Sequence, residues 1–214
     1  MEKVAQVISW IFLPLFMPVY ALLLVMYIPS VLDYKYVDAN LYSIPFEFKK
    51  ALLYIFTSLT IVFPGLSFII LSRSKLISSV EMDNQSERPI PILLMLAYCL
   101  ILYVFLILKA GNSGVPRFIF SLPLSGVFVT LSFYFLNKWK KISIHSAGTG
   151  ILTGFILAYI LFQVEYELWI LVISILISGL VMSARLYLKK HSLFEVVFGW
   201  VIAIVITFSV NYFY

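Results

Sequence analysis

Residues 91–108 read PILLMLAYCLILYVFLIL, a continuous run without a single charged side chain. A helix that crosses the hydrocarbon core of a bilayer, about 30 Å thick, needs about 20 such residues. Polar and apolar positions do not alternate along this run, as they would in a strand of a membrane barrel. The run therefore predicts a transmembrane α-helix, which satisfies all its backbone polar groups internally.

Six further runs of the same kind lie on either side of this one. The seven predicted spans are residues 7–28, 51–72, 91–108, 118–136, 147–163, 168–184 and 192–213. The first contains Pro14 and Pro18 and no small-residue cleavage site, so we expect a retained, kinked helix rather than a removed signal peptide. No repeat or flexible linker divides the chain. We predict one all-α domain, residues 1–214, built as a polytopic transmembrane bundle of about six to seven helices.

Two smaller features complete the expected architecture. Gly150 and Gly154 lie four residues apart on the fifth span, a spacing that lets another helix approach closely. The mixed segment 29–50, between the first two spans, combines charged and aromatic residues and is expected to lie at the membrane interface.

The composition excludes other classes of protein. Hydrophobic residues make up 63% of the chain and charged residues 12%, and the mean hydropathy is +1.05. Neither a water-soluble globule nor a disordered chain has such values. The single cysteine, Cys99, excludes an internal disulfide and a thiolate metal cage. The formal charge of +5 arises from short basic clusters between the spans, so it indicates membrane topology and not nucleic-acid binding. We expect an integral membrane protein, in the inner membrane if the cell is bacterial.

Seven spans would place alternate loops on opposite sides of the membrane. Loops 73–90, 137–146 and 185–191 then share one side with the N-terminus, which we call the histidine side because both histidines, His145 and His191, fall there. This side carries ten Lys and Arg residues against five on the other. The positive-inside rule therefore favours a cytoplasmic histidine side.

The spacing around His191 suits nucleophilic chemistry. If the last helix begins near Ser192, His191 and Glu195 lie on one helix face, and the carboxylate can accept a hydrogen bond from one imidazole nitrogen. The other nitrogen then keeps its lone pair for attack. The alternative is that the pair only keeps a helix end hydrated.

Two further clusters on the histidine side are suited to binding an anion. His145 follows a lysine-rich loop at the start of the fifth span, where Ser143 or Ser146 could cap the helix or donate to a phosphate oxygen. Arg88 precedes Pro89 at the mouth of the third span and offers a bidentate guanidinium. The alternatives are a topology signal for the lysine loop and an interfacial anchor for Arg88.

Together these clusters resemble the signature of the type 2 phosphatidic acid phosphatase superfamily, whose fold is shared with vanadium haloperoxidases. The family pattern is Lys, six residues, Arg-Pro; then Pro-Ser-Gly-His; then Ser-Arg, five residues, His, three residues, Asp. The resemblance covers residues 81–195, and two helices separate each pair of blocks. The matching residues are Arg88, Ser143, His145, Arg185 and His191. Glu81 stands where the family has lysine, and Glu195 where it has aspartate.

The resemblance implies a phosphohydrolase that needs no metal or cofactor. It implies that His191 attacks phosphorus and forms a phosphohistidine, with Glu195 orienting it. It also implies that His145 protonates the leaving oxygen and then activates water. The phosphoryl oxygens would be held by Arg88, Ser143 and Arg185. The implied partners are a phosphorylated or pyrophosphorylated lipid and the surrounding membrane lipids.

Glu81 is the sharpest departure from the family pattern. A carboxylate that faced the pocket would repel a phosphate, whereas one that turned to water or paired with a lysine would do little harm. The candidates for the missing cation are Lys75, Lys140 and Lys189. Two alternatives stay open: a non-catalytic membrane protein that retains the fold, and a phosphotransferase of the same architecture. Bacterial members of the resembled family usually face outward, contrary to the charge count.

Overall fold

The computed structural model describes residues 1–32, 40–82, 84–111 and 114–214. Six helical segments in this part of the chain are long and apolar enough to cross a membrane. They are Glu2–Tyr27, Phe46–Arg73, Gln85–Ala110, Phe118–Leu136, Trp169–Tyr187 and Leu193–Phe213. Ile144–Ile160 is a shorter apolar helix of 17 residues. The predicted all-α transmembrane bundle of six to seven helices is confirmed, and it fits an integral membrane protein.

Nine α-helices and one pair of short strands form the described structure. The helices are α1 (Glu2–Ile11), α2 (Met17–Tyr27), α3 (Phe46–Thr57), α4 (Phe63–Arg73), α5 (Pro89–Ala110), α6 (Phe118–Leu136), α7 (Ile144–Ile160), α8 (Trp169–Tyr187) and α9 (Leu193–Phe213). The strands are β1 (Ser30–Leu32) and β2 (Gln163–Tyr166).

The first two spans are interrupted. Between α1 and α2 the chain leaves the helix at Phe12 and forms a 3-10 turn, Pro14–Phe16, so the kink expected from the prolines is present as a break. Between α3 and α4 lies a π-helical turn, Ser58–Val62, which the sequence did not predict. Pro64 has no N–H to donate to the carbonyl four residues earlier, which loosens the helical ladder at that turn.

Helix α7 is the central helix, because twelve of its 17 residues are buried. A Cβ atom on Gly150 would lie 2.7 Å from the Trp200 carbonyl oxygen, and one on Gly154 would lie 2.8 Å from that of Ile204. The close helix approach predicted at these glycines is therefore confirmed, with α9 as the partner. Helix α7 ends at Ile160, three residues before the predicted end, because the chain turns there into β2.

On the side opposite the histidines, the segment after α2 pairs with the segment after α7. Strands β1 and β2 are antiparallel, with Ser30 opposite Tyr166. The Tyr159 hydroxyl also makes a hydrogen bond of 3.0 Å with Ser30 Oγ and accepts one of 3.2 Å from the Leu41 backbone N–H. No sequence pattern within segment 29–50 predicted this pairing; residues 33–39 of that segment lie outside the described residues.

On the histidine side, the three loops named from the sequence are in contact. Asn137 Nδ2 donates to the Gln85 carbonyl at 3.1 Å, which joins the loops before α5 and α7. Lys141 Nζ donates to the Lys190 carbonyl at 3.2 Å, and the Ser143 N–H donates to the Glu195 carbonyl at 3.2 Å. These contacts bring residues that are over 100 positions apart in sequence to one end of the bundle.

Candidate active site

His191 and Glu195 form the pair that their spacing predicts. Helix α9 begins at Leu193, and Ser192 caps it: its hydroxyl accepts a hydrogen bond from the Glu195 N–H, while its own N–H donates to Glu195 Oε2. The same Oε2 lies 2.8 Å from His191 Nδ1. Because an ionised carboxylate only accepts hydrogen bonds, we assign the proton to Nδ1, which leaves the lone pair on Nε2.

The surroundings of His191 favour its neutral form. The side chain is only 2% exposed, and this burial is the main reason that the pKa of His191 lies below its ordinary value of 6.5. Three nearby cations lower this pKa further, namely Arg88, Lys141 and Arg185. The hydrogen bond to Glu195 acts in the opposite direction. At neutral pH His191 therefore has an unprotonated nitrogen.

Arg88 is held rigidly between two loops. It directly precedes α5, which begins at Pro89, and it is 3% exposed. Its Nε donates to the Met82 carbonyl at 3.0 Å, and its Nη1 donates to the Ile142 carbonyl at 2.7 Å. Two of its five N–H donors thus fix the guanidinium in place.

Arg185 and Glu81 lie against each other at the same end of the bundle. Arg185 lies in the last turn of α8, with its side chain 3% exposed, and its Nη2 is 3.9 Å from Glu81 Oε2. Lys190 Nζ lies 3.3 Å from the same oxygen. Glu81 is 37% exposed. It therefore combines the two orientations considered from the sequence: it pairs with a lysine, yet it also faces an arginine expected to bind phosphate.

His145 and Ser143 are two residues apart, but only His145 lines the cavity described below, whereas Ser143 caps a helix. His145 is the second residue of α7 and is partly buried. Ser143 is fully buried and caps α7: its Oγ accepts hydrogen bonds from the Ser146 N–H and from the Ser146 hydroxyl. Of the two roles that the sequence left open for Ser143, the structure shows the helix cap.

One cavity, of about 160 Å³, connects these groups. At one end its wall is formed by the charged and imidazole side chains of Glu81, Arg88, His145, Arg185 and His191. The rest of the wall is almost entirely apolar. Ser143 and Glu195 do not line the cavity; Glu195 stands behind His191 and positions it.

The lysines at the site differ from those that the sequence suggested. Lys75 and Lys189 adopt left-handed backbone conformations just after α4 and α8, where such residues end a helix. Lys140 Nζ lies 4.4 Å from the centre of the Phe194 ring. Among the described lysines, Lys190 and Lys141 are the ones near His191. Lys190 directly precedes His191 in the sequence, and Lys141 belongs to the lysine-rich loop before His145.

In comparisons of the chain with known proteins, no family model, no curated protein and no solved structure matches it.

Proposed function

We propose that this chain is a membrane-embedded phosphatase that removes a phosphate or pyrophosphate group from a lipid headgroup through a phosphohistidine, without a metal or cofactor. The observation that carries the proposal is the 2.8 Å contact between His191 Nδ1 and Glu195 Oε2, beside a cavity end that also contains two arginines and a second histidine. This set offers a nucleophile, its orienting carboxylate, a proton carrier and charges for the phosphoryl oxygens.

In the first step, the lone pair on His191 Nε2 forms a bond to phosphorus while the bond from phosphorus to the leaving oxygen breaks. His145, which takes up a proton when the phosphate anion binds beside Arg88 and Arg185, gives that proton to the leaving oxygen, so the lipid departs as an alcohol, or as a monophosphate if the substrate is a diphosphate. Glu195 stabilises the positive charge that develops on the His191 ring. Arg88 and Arg185 stabilise the charge on the remaining phosphoryl oxygens.

In the second step, a water molecule attacks the phosphorus of the phosphohistidine. His145, now neutral, takes a proton from this water as the new bond forms. The bond between phosphorus and Nε2 breaks, and its electron pair returns to the nitrogen. Inorganic phosphate leaves, and both histidines are back in their starting protonation states.

A second candidate function is favoured by one observation. Glu81 Oε2 lies 3.9 Å from Arg185 Nη2, in the region where a phosphate would have to lie. A carboxylate there competes with an anionic substrate for the guanidinium. The second candidate is therefore a non-catalytic membrane protein that retains the fold.

The proposed location is the cell membrane, or the inner membrane of a bacterium, with the site at the cytoplasmic surface. The support for this orientation is the excess of Lys and Arg on the histidine side, ten residues against five. The site lies at the end of the bundle, so the phosphate headgroup of a lipid can enter it from the aqueous side. The hydrocarbon part of the same lipid stays in apolar surroundings.

The experiment that tests the proposed function is an assay of phosphate release by the detergent-purified protein. The substrates are phosphatidate, phosphatidylglycerol phosphate, undecaprenyl diphosphate and phosphorylated lipid A. We expect release from at least one of them, persistence in EDTA and inhibition by vanadate, which adopts the five-coordinate geometry of the transferred group. Activity lost in EDTA and restored by magnesium would contradict the metal-free mechanism. Release from none of the four lipids would favour the non-catalytic candidate.

A further inference from the structure

The cavity at the candidate site extends far into the membrane-spanning part of the bundle. From Arg88 at its charged end it follows α5 to Leu102, fourteen residues further on. At a rise of about 1.5 Å per residue, this distance is roughly 21 Å. Half the thickness of the hydrocarbon core is only about 15 Å. The cavity therefore reaches beyond the middle of an ordinary bilayer.

The wall of the cavity is built in layers by facing residues of α5 and α6. Cys99 faces Gly126, where an added Cβ would lie 2.8 Å from the cysteine sulfur. One turn deeper, Leu102 and Leu122 line the cavity, and Phe56 of α3 lines it as well. These three residues are at most 1% exposed, so they close the far end.

The cavity is narrow. A dry apolar cavity of about 150 Å³ is filled by one benzene-sized group. This cavity has a similar volume, about 160 Å³, spread over a much greater length. It has room for part of one hydrocarbon chain and not for two chains side by side. The second chain of a two-chain lipid would remain outside the bundle.

We propose that this cavity takes one hydrocarbon chain of the lipid whose phosphate binds at Arg88 and Arg185, and that Phe56, Leu102 and Leu122 limit the length of that chain. The inference rests on the proposed function, because the charged end of the cavity is the proposed phosphatase site. A hydrocarbon chain is the occupant because the same cavity joins the two arginines and the two histidines to an apolar channel one chain wide.

Selection works by exclusion and not by attraction. A chain that moves from membrane lipid into the cavity gains little, because lipid tails are as apolar as leucine side chains. A chain that is too long meets a closed, fully packed floor, and forcing extra methylene groups into a packed interior is unfavourable. The proposal therefore predicts nearly equal turnover of chains up to a limiting length and a sharp fall beyond it.

The test measures kcat/KM for a series of single-chain alkyl phosphates of increasing length. We expect at least a tenfold fall just beyond the limit in the wild type. Leu102→Ala should move the limit to longer chains, and Leu102→Phe should move it to shorter ones. The matched controls are Leu100→Ala and Leu100→Phe, because Leu100 lies on the same helix, is 43% exposed and does not line the cavity. An unmoved limit in both Leu102 variants, or an equal shift in the controls, would overturn the proposal.

A second variant keeps the test decisive if Leu102→Phe does not fold. Thr130 lines the cavity one turn closer to the charged end than Gly126, and within the described part of the chain its hydroxyl donates only to carbonyls of its own helix, at Gly126 and Val127. Thr130→Leu therefore removes no described hydrogen bond between helices. It should lower the limit further than Leu102→Phe does, and an unchanged limit would again count against the proposal.

Labelling of Cys99 tests the chain-binding cavity independently of the phosphatase function, because the labelling reaction requires no substrate turnover. Cys99 is the only cysteine of the chain and lies on the cavity wall. Hexadecylphosphonate, which cannot be hydrolysed, should slow its reaction with N-ethylmaleimide at least tenfold, and butylphosphonate should not. Protection without turnover of any lipid would support the chain site and reject the phosphatase. Turnover without protection would reject the chain site and leave the phosphatase intact.

Discussion

The His191→Gln variant should lose phosphate release by at least a thousandfold, which corresponds to about 4 kcal/mol of lost transition-state stabilisation. Glutamine has no nitrogen lone pair that can attack phosphorus, so the covalent route is removed entirely. Its amide can still donate a hydrogen bond to Glu195, which would preserve the contact at the start of α9. The measurement is steady-state phosphate release on the best lipid substrate, with size-exclusion elution and thermal unfolding as checks on the fold.

The matched control is His145→Gln, which removes the proton carrier but keeps the nucleophile. We expect its loss to be largest for a substrate with a poor leaving group and smaller for an aryl phosphate, whose leaving oxygen needs no proton in the first step; hydrolysis of the phosphohistidine is slowed for both. Near-normal activity of His191→Gln on any substrate would show that the nucleophile is assigned wrongly.

The Arg185→Gln variant should have the second largest effect, a fall in kcat/KM of about a hundredfold to a thousandfold, as when one preorganised donor to a transition-state oxygen is removed. The guanidinium is 3% exposed, so water cannot replace its charge. Glutamine is polar and uncharged and keeps the first three carbons of the side chain, which limits the damage to packing. The comparison of kcat with KM shows whether the lost contact belonged to the transition state alone.

The control for Arg185→Gln is Glu81→Gln, which removes the partner of the guanidinium and keeps the guanidinium itself. Because the carboxylate lies 3.9 Å from Arg185 and is partly exposed, its removal should leave kcat/KM unchanged or raise it several-fold. A large fall in Glu81→Gln, equal to that in Arg185→Gln, would mean that the ion pair serves the fold and not the substrate.

Local sequence patterns predicted the parts of this protein that depend on local physics. Continuous apolar runs such as 91–108 predict membrane helices because the bilayer imposes one length and one hydrogen-bonding solution. The pairing of His191 with Glu195 follows from a four-residue separation at a helix start, which does not depend on the rest of the fold.

Contacts between distant segments were harder to predict. The strand pair β1 and β2 joins residues more than 130 positions apart, and neither strand exceeds four residues. The positions of Lys190 and Lys141 depend on how the loops after α6 and α8 meet. The length of the cavity depends on which faces of α5 and α6 are opposed, and their apolar residues are too uniform for a sequence pattern to reveal it.

The most direct test of the central claim is to trap the covalent intermediate on His191. The His145→Gln variant is mixed with an aryl phosphate that carries a radiolabelled phosphoryl group, because its leaving oxygen needs no proton. The reaction is quenched in alkaline detergent, and the protein is digested for peptide mass spectrometry. We predict a phosphoryl group on His191 that is stable in alkali and lost in acid, in larger amount than in the wild type because its hydrolysis lacks a proton acceptor. Measurable turnover of the aryl phosphate without any phosphoryl group on His191 would contradict the proposed function.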